Sequence, residues 1–434
     1  MNDIRYIREN PAEFKQRIET RNIEVDVDGI LALDSQRRAL ITQVEEIKAE
    51  RNAGSKLVGK TKDPEERQAL IAQMAGLGDK ITELDAQAAE AEATLNDILL
   101  GIPNLPDPEV PLGKDEAENV PGPERGAPLR EFDFEPKPHW DLAEELELID
   151  FERAVKIAGS RNYILRGDLA RLQRALIDWM LDVHTQRHGY LEVQPPYQVF
   201  GEVLVGTSQL PKFADTLFRD IEEDKWLIPT AEVPVTNFYR EEILDGDVLP
   251  VYHVAATPCF RREKVSAGRD VRGIKRVFQF MKVELVKFVK PEDSANELER
   301  LVEEACYIAE ELGLHYRLLD LCTGDLGFGA AHTYDIEIWA PGCQEWLEVS
   351  SCSNMRDYQA RRANIRYRAE NGKPAYLHTL NGSGLALPRV MIAIMENYQQ
   401  EDGSIEVPAV LVPYMGGRTV IGKQPPIGPS KHTV

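Results

Sequence analysis

Residues 261–276, RREKVSAGRDVRGIKR, hold seven positive side chains (Arg261, Arg262, Lys264, Arg269, Arg272, Lys275 and Arg276) against Glu263 and Asp270. Guanidinium forks grip phosphate oxygens and neutralise charge that develops on a reacting phosphoryl group. Gly268 and Gly273 mark the run as a loop between strands, with a solvated basic hairpin as the lesser alternative on charge alone. The next stretch, QFMKVELVKF, alternates at period two, placing Phe280, Lys282, Glu284 and Val286 on one face and Gln279, Met281, Val283 and Leu285 on the other. Phe280 offers a ring for a base to stack on and Glu284 a carboxylate for an ammonium group, whereas the commoner fate of a strand Phe is the core. In WLEVSSCSN, Glu348 comes three residues before Ser351, where the strand is expected to end. A carboxylate plus a hydroxyl suits Mg²⁺, which takes few protein oxygens and keeps its waters and substrate phosphates. Arg356, Arg361, Arg362, Arg366 and Arg368 against Asp357 form a second basic excess.

Neither G-x-x-x-x-G-K-[ST] nor a G-x-G-x-x-G after a strand occurs, so a triphosphate here would be held by side chains instead of a glycine cradle. His184 and His188 stand at i,i+4, but the glutamate of H-E-x-x-H is absent; they read as partly exposed partners of a helix C-terminus, and no zinc is expected. Cys352 has no histidine near it in sequence and reads as a small buried residue. Five cysteines without a C-x-x-C disfavour a disulfide framework and favour a reducing cytoplasm.

These groups need positioning elements. The chain has 434 residues, 43% of them hydrophobic, enough for a sizeable core. Its 51 basic and 73 acidic side chains give a net charge of −22, which argues against a protein coated in nucleic acid but allows a local basic patch. The sequence shows no membrane-length apolar run and no signal-peptide pattern at its N-terminus. Ile30, Leu33, Arg37, Leu40, Val44 and Ile47 form a heptad seam broken once by arginine, and Leu70, Met74, Leu77, Ile81, Leu84, Ala88, Ala91, Leu95 and Ile98 form a second. Asp63-Pro64-Glu65-Glu66 reads as a helix start and Gly101 with Pro103 as its stop, giving a second helix about 55 Å long. The two helices pair most simply as an antiparallel hairpin. Its tip, with Lys48, Arg51, Lys56, Lys60 and Lys62 against Glu50, can contact phosphates; heptads alone would equally suit a dimerisation coiled coil. The sequence thus divides into a helical arm at 1–103, a Pro- and Gly-rich extended linker at 104–138 and a globular domain at 139–434. In that domain Asp168 can cap a helix running to Gly189, and strands and helices mix without a βαβ beat. The expected class is α+β, an antiparallel sheet with flanking helices plus the long N-terminal α-hairpin.

The ordered strings GTSQLPKF (206–213), PTAEVP (229–234), FRRE (260–263), SAGRDVRG (266–273), QFMKVEL (279–285), GDLGFGAAHTYDIEIW (324–339), EVSSCSN (348–354), QARR (359–362) and LNGSGLALPR (380–389) resemble the class II aminoacyl-tRNA synthetases, and among them the seryl-tRNA synthetases, over nearly the whole chain. That resemblance implies a six-stranded antiparallel sheet, a homodimer formed through motif 1 (the helix from Asp168, its strand and Pro196), a tRNA-binding arm and the ATP-dependent charging of tRNA(Ser), and also of tRNA(Sec), with L-serine. It places Arg261 on the α-phosphate and Arg389 on the γ-phosphate, the catalytic pair. Glu263 would take the adenine amino group, Val277 a backbone contact and Phe280 the stacked base, with Arg262 adding charge. Glu348 and Ser351 would bind Mg²⁺ with ATP, Val349 and Ser350 lining the site between them. Serine would meet Thr230, Ala231, Glu232, Glu284, Asn381 and Ser383. The chain departs from the family pattern at Arg262, Phe278, Met281, Ser208 and Leu387-Pro388. Pro388 is compatible with a helix only in its first turn. Two other classes are weighed against this one. A ligase loading a small amino acid on a carrier protein would not need the basic arm, and a coiled-coil scaffold would not need Arg261, Glu263, Glu284, Glu348 and Arg389 together.

Overall fold

The computed structural model describes residues 1–263 and 272–425; Lys264, Arg269 and Asp270 of the basic run, like residues 426–434, lie outside the described residues. The chain divides into two compact units, Met1–Leu105 and Pro106–Val434.

The first unit is helical: α1 Ile4–Glu9, α2 Pro11–Glu19, α3 Val27–Val58 and α4 Pro64–Leu100. Helix α4 starts where its sequence signals, the Asp63 carboxylate accepting from the Glu66 amide at 2.8 Å with Pro64 at the first position. The seams bury Val44, Ile81 and Leu84 between the long helices, while α1 and α2 widen the base with Ile7, Phe14 and Ile18 against Ile30, Leu95 and Leu99. The arginine that breaks the first seam has a use: Arg37 pairs with buried Asp34 at 3.2 Å and with Glu92 at 3.4 Å. Burial would raise the Asp34 pKa, but hydrogen bonds from Arg8 and Arg37 hold it below the ordinary carboxylate range. At the hairpin tip Lys48, Lys56, Lys60 and Lys62 are exposed and Arg51 is half-buried; Lys48 also reaches Asp85 at 3.0 Å.

The second unit is built on an eight-stranded sheet: β1 Val120–Gly126, β2 Leu191–Glu192, β3 Val251–Phe260, β4 Gln279–Val289, β5 His315–Asp320, β6 His332–Ala340, β7 Glu345–Arg356 and β8 His378–Ala386. The spatial order is β1-β5-β6-β7-β8-β4-β3-β2, antiparallel except for the β2–β3 edge pair. Two strands thus extend the expected six. One comes from the segment expected to be linker: β1 hydrogen-bonds to β5, covering a sheet edge that would otherwise expose unpaired backbone. The other is the two-residue strand after the motif 1 helix. The body helices used below are α5 His139–Glu145, α6 Gly167–Gln186, α7 Glu232–Thr236, α8 Ser294–Glu311 and α9 Leu387–Asn397. Asp168 does not cap α6; Arg166 occupies that position, and the Asp168 carboxylate in the first turn meets Arg418 at 3.3 Å instead. Pro388 is the second residue of α9, where its missing N–H has no helical partner to lose.

The main core packs Leu169, Leu172 and Leu176 of α6, Leu298 and Leu301 of α8 and Val390, Met391 and Ile394 of α9 against Val283, Leu285, Ile336, Val349 and Cys352 of the sheet. Each such aliphatic side chain contributes about 1.5–3 kcal/mol of burial, so the residues alternating with them on the same strands are held on a stiff platform.

Candidate functional site

The platform's other face forms the floor of a cavity of about 300 Å³. Strand β4 contributes Phe280, Lys282 and Glu284 at period two; β8 contributes Asn381 and Ser383; β7 contributes Glu348, Ser351 and Ser353. Pairing aligns them, with Ser383 opposite Glu284 and Asn381 opposite Ser353. Glu348 and Ser351 are an odd number apart and would face opposite sides of a regular strand. They share a face because β7 carries a bulge: Ser350 pairs with Ile336 and Glu348 with Glu337, leaving Val349 as an extra, buried residue. The strand also runs on to Arg356 instead of ending near Ser351, so Ser351 and Ser353 are held by sheet pairing.

The cationic groups enter from the rim. Arg261 follows β3, its amide donating to the Phe278 carbonyl at 2.9 Å and its Nε to the Pro229 carbonyl at 3.2 Å, with the guanidinium 5.3 Å from the Phe280 ring centre. Arg389, in the first turn of α9, donates to the Glu348 carbonyl at 2.6 Å and lies 3.3 Å from its carboxylate. Glu263 lines the same cavity, its carboxylate 3.7 Å from Arg276, and Val277 forms part of the wall.

At the opposite end, Thr230 and Glu232 enter from the start of α7. Glu232 accepts from Gln359 Nε2 at 2.6 Å, and Gln359 in turn accepts from Thr379 at 2.7 Å. Burial, and then the nearby Glu284 charge, push the Glu232 pKa up to about 7 against the pull of Gln359, Lys282 and Arg261. The Lys282 ammonium contacts the Glu284 carboxylate. Two carboxylates beside one fixed ammonium leave room for a second cation.

Three expected residues lie elsewhere. Arg262 does not join the phosphate grip: it is exposed, and its guanidinium lies over the Phe218 ring at 5.0 Å. Ser350 does not line the cavity; it is turned to the core side, its hydroxyl donating to the Ser383 carbonyl at 2.6 Å. Ala231 is fully buried and sets the start of α7 without lining the cavity. Lys275 and Arg276 of the basic run line the cavity, whereas the sequence alone does not single out Ser353 and Met355 as lining groups, nor, most of all, Asp335. Asp335 lies on β6 directly opposite Ser351 and lines an adjoining cavity of about 440 Å³ that shares Glu232, Glu348, Ser351, Ser353 and Met355 with the first. One of its carboxylate oxygens is buried without a hydrogen-bond partner, and burial with the Glu348 charge raises its pKa well above the ordinary value. Alternation in HTYDIEIW is the available signal. A buried, unsatisfied carboxylate oxygen beside a second carboxylate and a hydroxyl is a hard-oxygen donor set, and it fits Mg²⁺.

His184 is fully buried, not partly exposed. Its Nδ1 lies 3.0 Å from His188 Nδ1 and its Nε2 3.2 Å from the Gly384 carbonyl, and burial lowers its pKa to about 3, so it is a neutral core residue. Burial pushes the Cys352 thiol up to about 12, which removes it as a nucleophile.

Both units resemble known proteins. Residues 213–398 match the tRNA synthetase class II core domain (G, H, P, S and T), and residues 1–106 match the seryl-tRNA synthetase N-terminal domain. The chain is 62% identical to the serine–tRNA ligase of Thermomicrobium roseum over 98% of its own length and 96% of the relative's. The crystal structure of seryl-tRNA synthetase from Pyrococcus horikoshii complexed with ATP superposes with a TM-score of 0.91 at 38% identity, covering 98% of this chain and all of that one. The cytoplasmic serine–tRNA ligase of Naegleria fowleri in complex with AMP gives 0.86 at 30% identity, over 98% and 99% of the two chains.

Proposed function

The chain belongs to the serine–tRNA ligase family of class II aminoacyl-tRNA synthetases and uses ATP to join serine to tRNA, and we propose how the cavity residues divide that work. Phe280 stacks the adenine, Glu263 accepts from its amino group and the Val277 backbone meets the ring edge. Arg261 binds the α-phosphate and Arg389 the γ-phosphate. Glu348, Ser351 and Asp335 would hold Mg²⁺, which when bound neutralises phosphate charge and orients the leaving pyrophosphate. The serine ammonium meets Glu284 and Thr230, and its hydroxyl meets Glu232, Asn381 and Ser383.

The single observation that carries this reading is one cavity with an arginine-flanked ring at one end and paired carboxylates at the other. Serine lying between them directs its carboxylate at the α-phosphorus. Attack there expels pyrophosphate, with Arg261 stabilising the charge that builds on the α-phosphate oxygens. A terminal hydroxyl of the tRNA then attacks the seryl-adenylate carbonyl, releasing AMP. Buried hydrogen-bonding groups favour serine over an analogue lacking the hydroxyl, which would leave them unpaired.

The basic tip of the α3–α4 hairpin is the contact for tRNA(Ser), and tRNA(Sec) is a second acceptor on the same chemistry. Two chains pair through α6 and the segment that follows, where Leu191 and Phe200 are exposed. Among the described residues no helix is long and apolar enough to cross a membrane. The five free cysteines suit a reducing compartment, and we place the reaction in the cytoplasm. The test is serine-dependent exchange of pyrophosphate into ATP, followed by acylation of total tRNA. Absence of both from intact protein would refute the assignment.

A further inference from the structure

Seven residues beyond Arg389 on α9, Glu396 is fully buried against α5. One of its oxygens accepts from the His139 amide at 2.8 Å, lies 2.9 Å from His139 Nδ1 and accepts from the Cys343 thiol at 3.0 Å; the other accepts from the Cys343 amide at 2.9 Å. The far side of the imidazole meets the Ile274 amide, 3.3 Å from Nε2. A backbone N–H only donates, so Nε2 must accept and the ring proton must sit on Nδ1, facing Glu396. His139, Cys343 and Glu396 are close enough to ligate one metal ion. A cation at Nδ1 would move the proton to Nε2, against the Ile274 N–H, whereas the protons already close the cluster.

The cluster also fixes the shape of the neighbouring chain. Gly273 has a φ of 70°, and a Cβ there would collide with His139 Nε2. Two residues on, the Lys275 carbonyl accepts from Arg389 Nε at 3.5 Å, and Lys275, Arg276 and Val277 line the cavity. Helix α9 therefore grips this segment twice, through Arg389 near its start and through Glu396 and His139 near its end.

We propose that His139, backed by Glu396 and Cys343, is a positioning residue for the nucleotide half of the site: it latches Gly273 and Ile274 to the helix that carries Arg389. This rests on the reading that the cavity binds ATP. The latch touches nothing at the serine end, so its loss acts on ATP alone.

The experiment is serine-dependent pyrophosphate exchange with the full chain as wild type, His139→Asn, Gly273→Ala and Cys343→Ser. Both His139→Asn and Gly273→Ala are expected to raise KM for ATP by about fivefold or more, the effect of losing one neutral hydrogen bond, while KM for serine stays within about twofold. Cys343→Ser, whose hydroxyl still donates to Glu396, is expected to match wild type. An inactive wild type would refute the ATP reading itself. An active wild type with KM for ATP unchanged in the variants, or with both KM values moving together, would overturn the latch. So would one zinc per purified chain that is lost in Cys343→Ser. Gly273→Ala perturbs the latch from the loop side and keeps the test decisive if His139→Asn does not fold.

Discussion

Replacing Phe280 by leucine tests the nucleotide half of the site most directly. The ring is half-buried on β4 with one face toward the cavity and the Arg261 guanidinium 5.3 Å from its centre. Leucine keeps most of the apolar volume packed against the core, so folding should suffer by less than about 1.5 kcal/mol. What disappears is the π-face. Stacking of a base on an aromatic ring contributes about 1–3 kcal/mol, and the cation–π contact that orients Arg261 roughly another 0.5–1 kcal/mol. At about 1.4 kcal/mol per tenfold, removal of stacking alone raises KM for ATP roughly five- to 150-fold. Pyrophosphate exchange should show that rise with KM for serine nearly constant, because Glu284 lies four residues away at the other end of the strand's cavity face. Phe280→Tyr should restore most of it. The reasoning is refuted if Phe280→Leu leaves KM for ATP unchanged while the protein melts at the wild-type temperature, or if KM for serine moves instead.

Glu232 gives a pH signature: with its pKa pushed up to about 7, the carboxylate gains charge between pH 6 and 8, and KM for serine should fall roughly tenfold over that range if the ionised form binds the substrate. Glu232→Gln should flatten the profile. In the free protein the sign is opposite: the raised pKa adds stability below the ordinary carboxylate value, lost as pH rises through about 7, and a melting-temperature profile checks it. Asp335→Asn should raise the Mg²⁺ needed for half-maximal exchange by about tenfold or more without loss of thermal stability, since the buried carboxylate is disfavoured in the ionised form. Changing Lys48, Arg51, Lys56, Lys60 and Lys62 to glutamine should raise KM for tRNA and flatten its log–log salt dependence by up to about 0.9 for each phosphate left unneutralised, with pyrophosphate exchange unaffected.

What could be seen in the sequence was what depends on neighbours along the chain. The heptad seams and the Asp63-Pro64 start of α4 are local chemistry, and the structure has the helix at Pro64–Leu100. Period-two alternation put Phe280 and Glu284 on one face of β4, and both line the cavity. What could not be seen depends on partners distant in sequence. Arg262 carries the same charge as Arg261, but the Phe218 ring that captures it lies more than forty residues earlier. Ser350 turns away because a bulge shifts the alternation there by one. Asp335 gains meaning only when pairing sets it opposite Ser351. The segment 120–126 carries proline and glycine and looks like linker; it becomes a strand because β5 has an open edge to offer it.

The spare residue in β7 gives the strand slack in its chain length. Exchanging Val349 for another aliphatic group alters packing by a methyl or two, and removing its codon would leave the acid at 348 two positions from Ser351, where regular alternation still puts both on the cavity face and keeps Glu348 opposite Glu337. Position 349 should therefore tolerate variation in side chain and also the loss of one residue.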